Sequence, residues 1–158
     1  MISARTRSPG ETQALGAAVA ALLQPGDVLL LVGGLGSGKT TFVQGLAWGL
    51  GCPDDVTSPT FTLCHRYAGR LALVHADLWR LETVGELLDL ALDEDLEAGA
   101  VVVAEWGEAA DEVLGRDALV VQFESLEEPD ERDVGFELRG AWIDRHDSLA
   151  DAVPRENA

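Results

Sequence analysis

The chain has 158 residues, 47% of them hydrophobic, a size and composition that fit one globular domain with a real core. Its formal net charge is −17, a field that repels polyphosphate backbones and argues against a direct grip on RNA or DNA. No apolar run approaches the roughly 18 residues needed to cross a bilayer. Residues 1–10 also lack the apolar stretch of a secretory signal, so a cytoplasmic location with no membrane contact is expected.

In chain order, residues 11–23 carry apolar side chains at helical spacing, and Gln24-Pro25-Gly26 stops them. Residues 27–32 form a short β-type apolar run, 33–38 a glycine-rich turn, and 39–50 a helix closed by Gly51 and Pro53. A polar loop follows at 54–59. Residues 61–67 and 71–75 read as strands joined at Ala68-Gly69-Arg70, a joint short enough for an antiparallel hairpin. The acidic, Leu-rich stretch 82–96 predicts one or two short helices, and 100–104 a third apolar strand. Late strands are predicted at 118–123 and 134–138, separated by a charged turn at 127–133. A final helix at 141–150 precedes a frayed tail from 153. Cys52 and Cys64 form no C-x-x-C pair and read as small apolar fillers. Strand, glycine loop and helix, followed by more strands and helices, predict one layered α/β domain over 1–158. Its ligand would lie at the carboxyl ends of the parallel strands.

Gly33-Gly34-Leu35-Gly36-Ser37-Gly38-Lys39-Thr40 satisfies G-x-x-x-x-G-K-[ST] in full, between an apolar strand and an amphipathic helix. Glycines let the backbone wrap tightly and turn its N–H groups toward phosphate oxygens. The helix that follows directs its positive end at the same charge. Lys39 is placed to reach the β- and γ-phosphates and Thr40 to ligate magnesium. Gly33, Leu35, Gly36, Ser37, Gly38 and Thr41 complete the predicted cradle. Lys39 is the only lysine in the chain, placed where a compact ammonium rather than a planar fork is wanted.

A site of this kind needs an acid at the end of a neighbouring strand. Asp77 ends one apolar run and Glu105 another, and each has a plainer reading, as a helix cap or a solvated strand-end charge. Thr60, in the loop after the helix, is the best hydroxyl for sensing a γ-phosphate, and an ordinary turn is the alternative. Trp106 reads as core packing or as a neighbour of the nucleotide. The Asn-Lys-x-Asp motif of guanine-specific NTPases is impossible here, because the only Asn is Asn157 and the only Lys is Lys39. ATP with Mg2+ is therefore the expected ligand.

Four ordered blocks carry a family resemblance: Gly33 through Phe42, Ser58-Pro59-Thr60-Phe61-Thr62-Leu63, His75-Ala76-Asp77-Leu78-Trp79-Arg80-Leu81, and Glu105-Trp106. Together they resemble the TsaE (YjeE) family, the ATPase subunit of the bacterial machinery that makes threonylcarbamoyladenosine in tRNA. The resemblance implies a three-layer P-loop NTPase fold, with a parallel sheet core and added antiparallel strands. It implies that Lys39 and Thr40 bind phosphate and magnesium, and that Thr60 lies in a switch-like loop. Asp77 would be the Walker B-type acid, Glu105 would lie near magnesium and Trp106 near the nucleotide. It also implies TsaD and TsaB as partners, with tRNA met only through their complex. Gly34 stands where the family usually has Asp, Ala76 and Trp79 where Phe and Tyr are usual, and Gly107 where Pro is common. Two other readings of the P-loop remain open: a small-molecule kinase, with Arg66, Arg70 and Arg80 available for a lid, and a non-catalytic ATP-gated binding module.

Overall fold

The computed structural model describes residues 2–59 and 64–154. The expectations placed on Thr60, on 61–63 and on the tail from 155 lie outside the described residues. Seven strands, β1 (Ile2–Thr6), β2 (Val28–Gly33), β3 (Cys64–Tyr67), β4 (Leu73–Asp77), β5 (Val101–Glu105), β6 (Leu119–Ser125) and β7 (Arg132–Leu138), form one sheet. Their order is β1-β7-β6-β2-β5-β4-β3. The central four, β6, β2, β5 and β4, are parallel. Antiparallel strands close both sides: β3 on β4, and β7 then β1 beyond β6.

The apolar runs alternate between two faces, as the period of two requires. Leu29, Leu31, Val101, Val103, Leu119 and Val121 face one core layer. There they meet α1 (Pro9–Ala20), α2 (Lys39–Gly49) and Leu149 of α6 (His146–Ala152). Leu30, Val74, Ala76, Val102, Ala104 and Val120 face the other layer, with α3 (Val84–Asp89) and α4 (Leu92–Glu97). Helices on both faces of a mostly parallel sheet make the three layers expected from the sequence.

Helix α1 starts at Pro9, two residues earlier than the pattern predicts. The Ser8 hydroxyl accepts the Glu11 N–H at 3.1 Å, and Pro at the first helical position needs no partner for its nitrogen. Helices α1 and α2 pack closely because their contact residues are small. A Cβ on Gly16 would strike the Phe42 carbonyl, and one on Gly45 the Gln13 carbonyl.

Three segments differ from the sequence reading. β1 was not anticipated; its five residues pair with β7, and Ala4 and Thr6 are buried while their neighbours are not. β7 begins at Arg132, inside the stretch read as a charged turn, because ladder pairing with β6 outweighs local polarity. The final helix is broken into a 3-10 segment, Gly140–Arg145, followed by α6. Trp142 is fully buried within that segment, and Arg145 leaves it to make two hydrogen bonds to Asp27, at 2.6 and 2.8 Å. Cys52 and Cys64 are free, and burial pushes both thiols up from their ordinary range, as expected of fillers. Among the described residues no helix is long and apolar enough to cross a membrane.

Candidate functional site

Parallel pairing in register brings three strand ends together. Leu31 of β2 lies opposite Glu105 of β5, and Glu105 lies opposite Asp77 of β4. The glycine loop leaves β2 at the same edge and runs directly into α2. The structure therefore gathers Leu35, Gly36, Ser37, Gly38, Lys39, Thr40, Thr41, Ser58, Asp77, Glu105, Trp106 and Arg132 around one cleft of about 370 Å3.

The loop is wound as a cradle requires. Gly36 and Gly38 adopt φ of 71° and 100°, which side chains with a Cβ resist. A Cβ at Gly33 would collide with the Ser37 hydroxyl and the Phe123 carbonyl. Among the described residues no side chain caps the first turn of α2, so its N-terminal N–H groups meet the cleft without a side-chain partner. The Ser37 hydroxyl is buried with no hydrogen-bond partner among the described residues. Leu35, at the loop tip, is 89% exposed and makes no core contact. Gly34 has open space around it and an ordinary φ, so no steric demand requires glycine there.

Lys39 is buried and folds back onto the loop, donating to the carbonyls of Gly33 at 2.5 Å and Gly34 at 3.1 Å. The Trp106 indole roofs its ammonium, with Nζ 3.5 Å from the ring centroid. Burial pushes the Lys39 ammonium below the ordinary lysine value, while Glu105, Glu108 and Asp77 pull it back up. Trp106 holds φ at 59°, an uncommon conformation for a bulky residue. The chain turns there into a 3-10 segment in which Gly107 sits tight against Leu30. Trp79 packs against Trp106, ring centroids 4.3 Å apart.

The two acids differ. Asp77 accepts the Trp79 N–H at 3.0 Å and the Ser58 hydroxyl at 3.3 Å, so it caps the turn after β4 and also faces the cleft. Glu105 is buried; the Thr40 hydroxyl lies 2.9 Å from both of its oxygens, and His75 Nε2 lies 2.5 Å from Oε2. The solvated strand-end reading of Glu105 is thereby excluded.

Three participants were missed as site residues. His75 and Ser58 stood within the quoted sequence blocks, but only the tertiary fold turns them onto Glu105 and Asp77. Arg132 lies 95 residues beyond Ser37; it donates to the carbonyls of Ser37 and Gly36, both at 3.0 Å. In the sequence Arg132 falls in the charged turn predicted at 127–133, and nothing there points it to the glycine loop. Of the lid candidates, Arg66 pairs with Asp95 at 2.8 Å and Arg70 donates to the Ala20 carbonyl at 2.8 Å; neither lines the cleft.

The donor set fits a magnesium–triphosphate ligand. It comprises an unpartnered buried hydroxyl, outward N–H groups, one ammonium, the Thr40 hydroxyl and two carboxylates. Among the described residues no group of three His, Cys, Asp or Glu converges on a metal position. One hydroxyl with one or two acids is instead the set that suits magnesium shared with phosphate oxygens and water.

Comparison with known proteins agrees with this architecture. Residues 6–134 match the sequence model of the family described as threonylcarbamoyl adenosine biosynthesis protein TsaE. The tRNA threonylcarbamoyladenosine biosynthesis protein TsaE of Bacillus subtilis is 40% identical over 154 residues, covering 97% of this chain and 94% of that one. Its Treponema pallidum counterpart is 46% identical over 103 residues, 65% of this chain and 76% of that protein. The crystal structure of Bacillus subtilis YdiB superposes with a TM-score of 0.75 at 35% identity, covering 95% of this chain and 91% of that one. With a sheet, loop and cleft of this form, and with similarity running through nearly all of its length, the chain belongs to the TsaE family.

Proposed function

We propose that this chain is a P-loop ATPase. It would bind and hydrolyse magnesium-ATP in the cytoplasm, and so drive or reset a TsaD–TsaB complex during tRNA N6-threonylcarbamoyladenosine biosynthesis. One observation carries the reading: Lys39, Thr40, Glu105 and Asp77 converge on a single cleft at the carboxyl ends of β2, β5 and β4. The names of the relatives support the pathway, and the −17 charge suits a subunit that meets protein rather than tRNA.

Lys39 gives up the carbonyls of Gly33 and Gly34 to neutralise the β- and γ-phosphates, while the loop N–H groups fix the tail in line. Thr40, Glu105 and Asp77 would be the residues that hold magnesium, with the Thr40 hydroxyl freed from Glu105. Magnesium, when bound, neutralises charge on the phosphate oxygens. Glu105 or Asp77 would orient the attacking water, and Trp106, whose ring covers the Lys39 ammonium, would border the ligand.

Calorimetry and a phosphate-release assay, run with and without TsaD and TsaB, test this. Micromolar to millimolar ATP binding that needs Lys39, and turnover that rises with partners, are expected. No heat from ATP at millimolar concentration with magnesium and a verified fold, or unchanged ATPase activity in Lys39→Ala, would overturn it.

A further inference from the structure

We infer that His75 is a positioning residue for the proposed ATPase site, its Nε2–H holding the Glu105 carboxylate in place against Thr40. This rests on the ATPase reading and adds to it a residue that touches neither ATP nor the metal position.

His75 is fully buried in the middle of β4, opposite His65 in β3 and Val103 in β5. The pleat turns Leu73, His75 and Asp77 toward α2, the helix that carries Thr40, on the same face as Val101, Val103 and Glu105. An imidazole in such a layer is costly unless it is hydrogen-bonded. Among the described residues it has one hydrogen-bond partner, Glu105 Oε2, while its buried Nδ1 has none. A proton on Nδ1 would be a buried donor with no acceptor, the expensive case; a lone pair there is cheaper. The arrangement that leaves no donor stranded has the single proton on Nε2, donated to Glu105.

That bond matters because a glutamate side chain has several rotatable bonds and considerable freedom to lose. Glu105 is gripped from two sides, by Thr40 from the loop helix and by His75 from the neighbouring strand. Once Thr40 turns to a ligand, His75 is, among the described residues, the side chain that still holds the carboxylate by a hydrogen bond. A core histidine serving only packing would be replaceable by an apolar residue without harm to turnover.

The test compares His75→Leu, which packs but cannot donate, with His75→Gln, whose amide restores a donor at similar reach. Turnover, KM and metal-free ATP affinity are measured for each, and long-range 1H–15N spectra are recorded on the nucleotide-free wild-type chain. In the Leu variant kcat should fall about 10- to 100-fold, the usual scale for groups that orient such ligands. Metal-free ATP affinity should stay within about twofold, because Lys39 and the loop are untouched. Gln should recover most of the lost turnover, and the spectra should show the proton of His75 on Nε2. Wild-type turnover in the Leu variant, equal impairment of Leu and Gln in folded protein, or a proton on Nδ1 would overturn the inference. The spectrum needs no variant to fold. If the wild-type chain with its partners neither binds nor hydrolyses ATP, the ATPase reading itself fails and this role goes with it. Normal wild-type turnover with an indifferent Leu variant sinks the positioning role alone.

Discussion

On one side of β2, strands β5 and β4 end in carboxylates at the cleft: buried Glu105 holds Thr40 of the loop helix, and half-buried Asp77 accepts from Ser58. On the other side, β6 and β7 supply Phe123, which meets Gly33 and the Phe42 ring, and Arg132, whose guanidinium ties down the loop carbonyls. The same loop is thus served by two unlike flanks. One holds acids where chemistry would occur; the other holds the backbone in shape. The contrast teaches that a phosphate loop is more than its own glycines, since a distant strand supplies the clamp that closes its carbonyl side.

Substitutions that separate the flanks sharpen the contrast. The largest effect is expected for Glu105→Gln on the acid flank. Turnover should drop by on the order of 100-fold, the scale of a well-placed acid or base, with ATP affinity kept. Asp77→Asn should lose less, because a turn amide and Ser58 share that carboxylate. Steady-state kinetics on both variants decides the order, and a larger loss at Asp77 would reverse the ranking. On the supporting flank, Arg132→Ala should weaken ATP binding about tenfold with kcat little changed, as removal of charged hydrogen bonds to the loop predicts. A collapse of kcat at intact affinity would erase the division of labour.

The smallest effect concerns Lys39, where the flanks meet. Its folded-state value is depressed by burial, so the cost of keeping it charged is fully present below that value. The cost is relieved as pH rises toward the ordinary lysine range. The stability gap between nucleotide-free Lys39→Met and wild type should therefore move in favour of wild type as pH rises toward the ordinary lysine range, by a few degrees of Tm at most. A gap that stays flat in thermal melts would mean that the bonds to Gly33 and Gly34 and the Trp106 roof offset burial.

The loop was legible because its chemistry is local: glycines, one lysine and one threonine at fixed spacing between a strand and a helix. Asp77 and Glu105 were legible as strand ends, since apolar runs of four or five residues stop at them. Their neighbours were not. The register that sets Asp77 beside Glu105 depends on strands far apart in sequence, as do the turn of His75 toward α2 and the reach of Arg132 to Ser37. β1 escaped notice because its edge position buries only alternate residues, giving too short a pattern to read.

The strand order also sets a sequence of events during synthesis. β2 leaves the ribosome early, but its hydrogen-bonded neighbours are β5 and β6, which begin at Val101 and Leu119. The glycine loop therefore spends most of translation attached to a strand with both edges bare. Non-local pairing of this kind folds slowly and exposes sticky edges meanwhile. The cradle becomes rigid only when the last third of the chain arrives, so truncation before β6 leaves β2 one ladder short, however complete the loop motif.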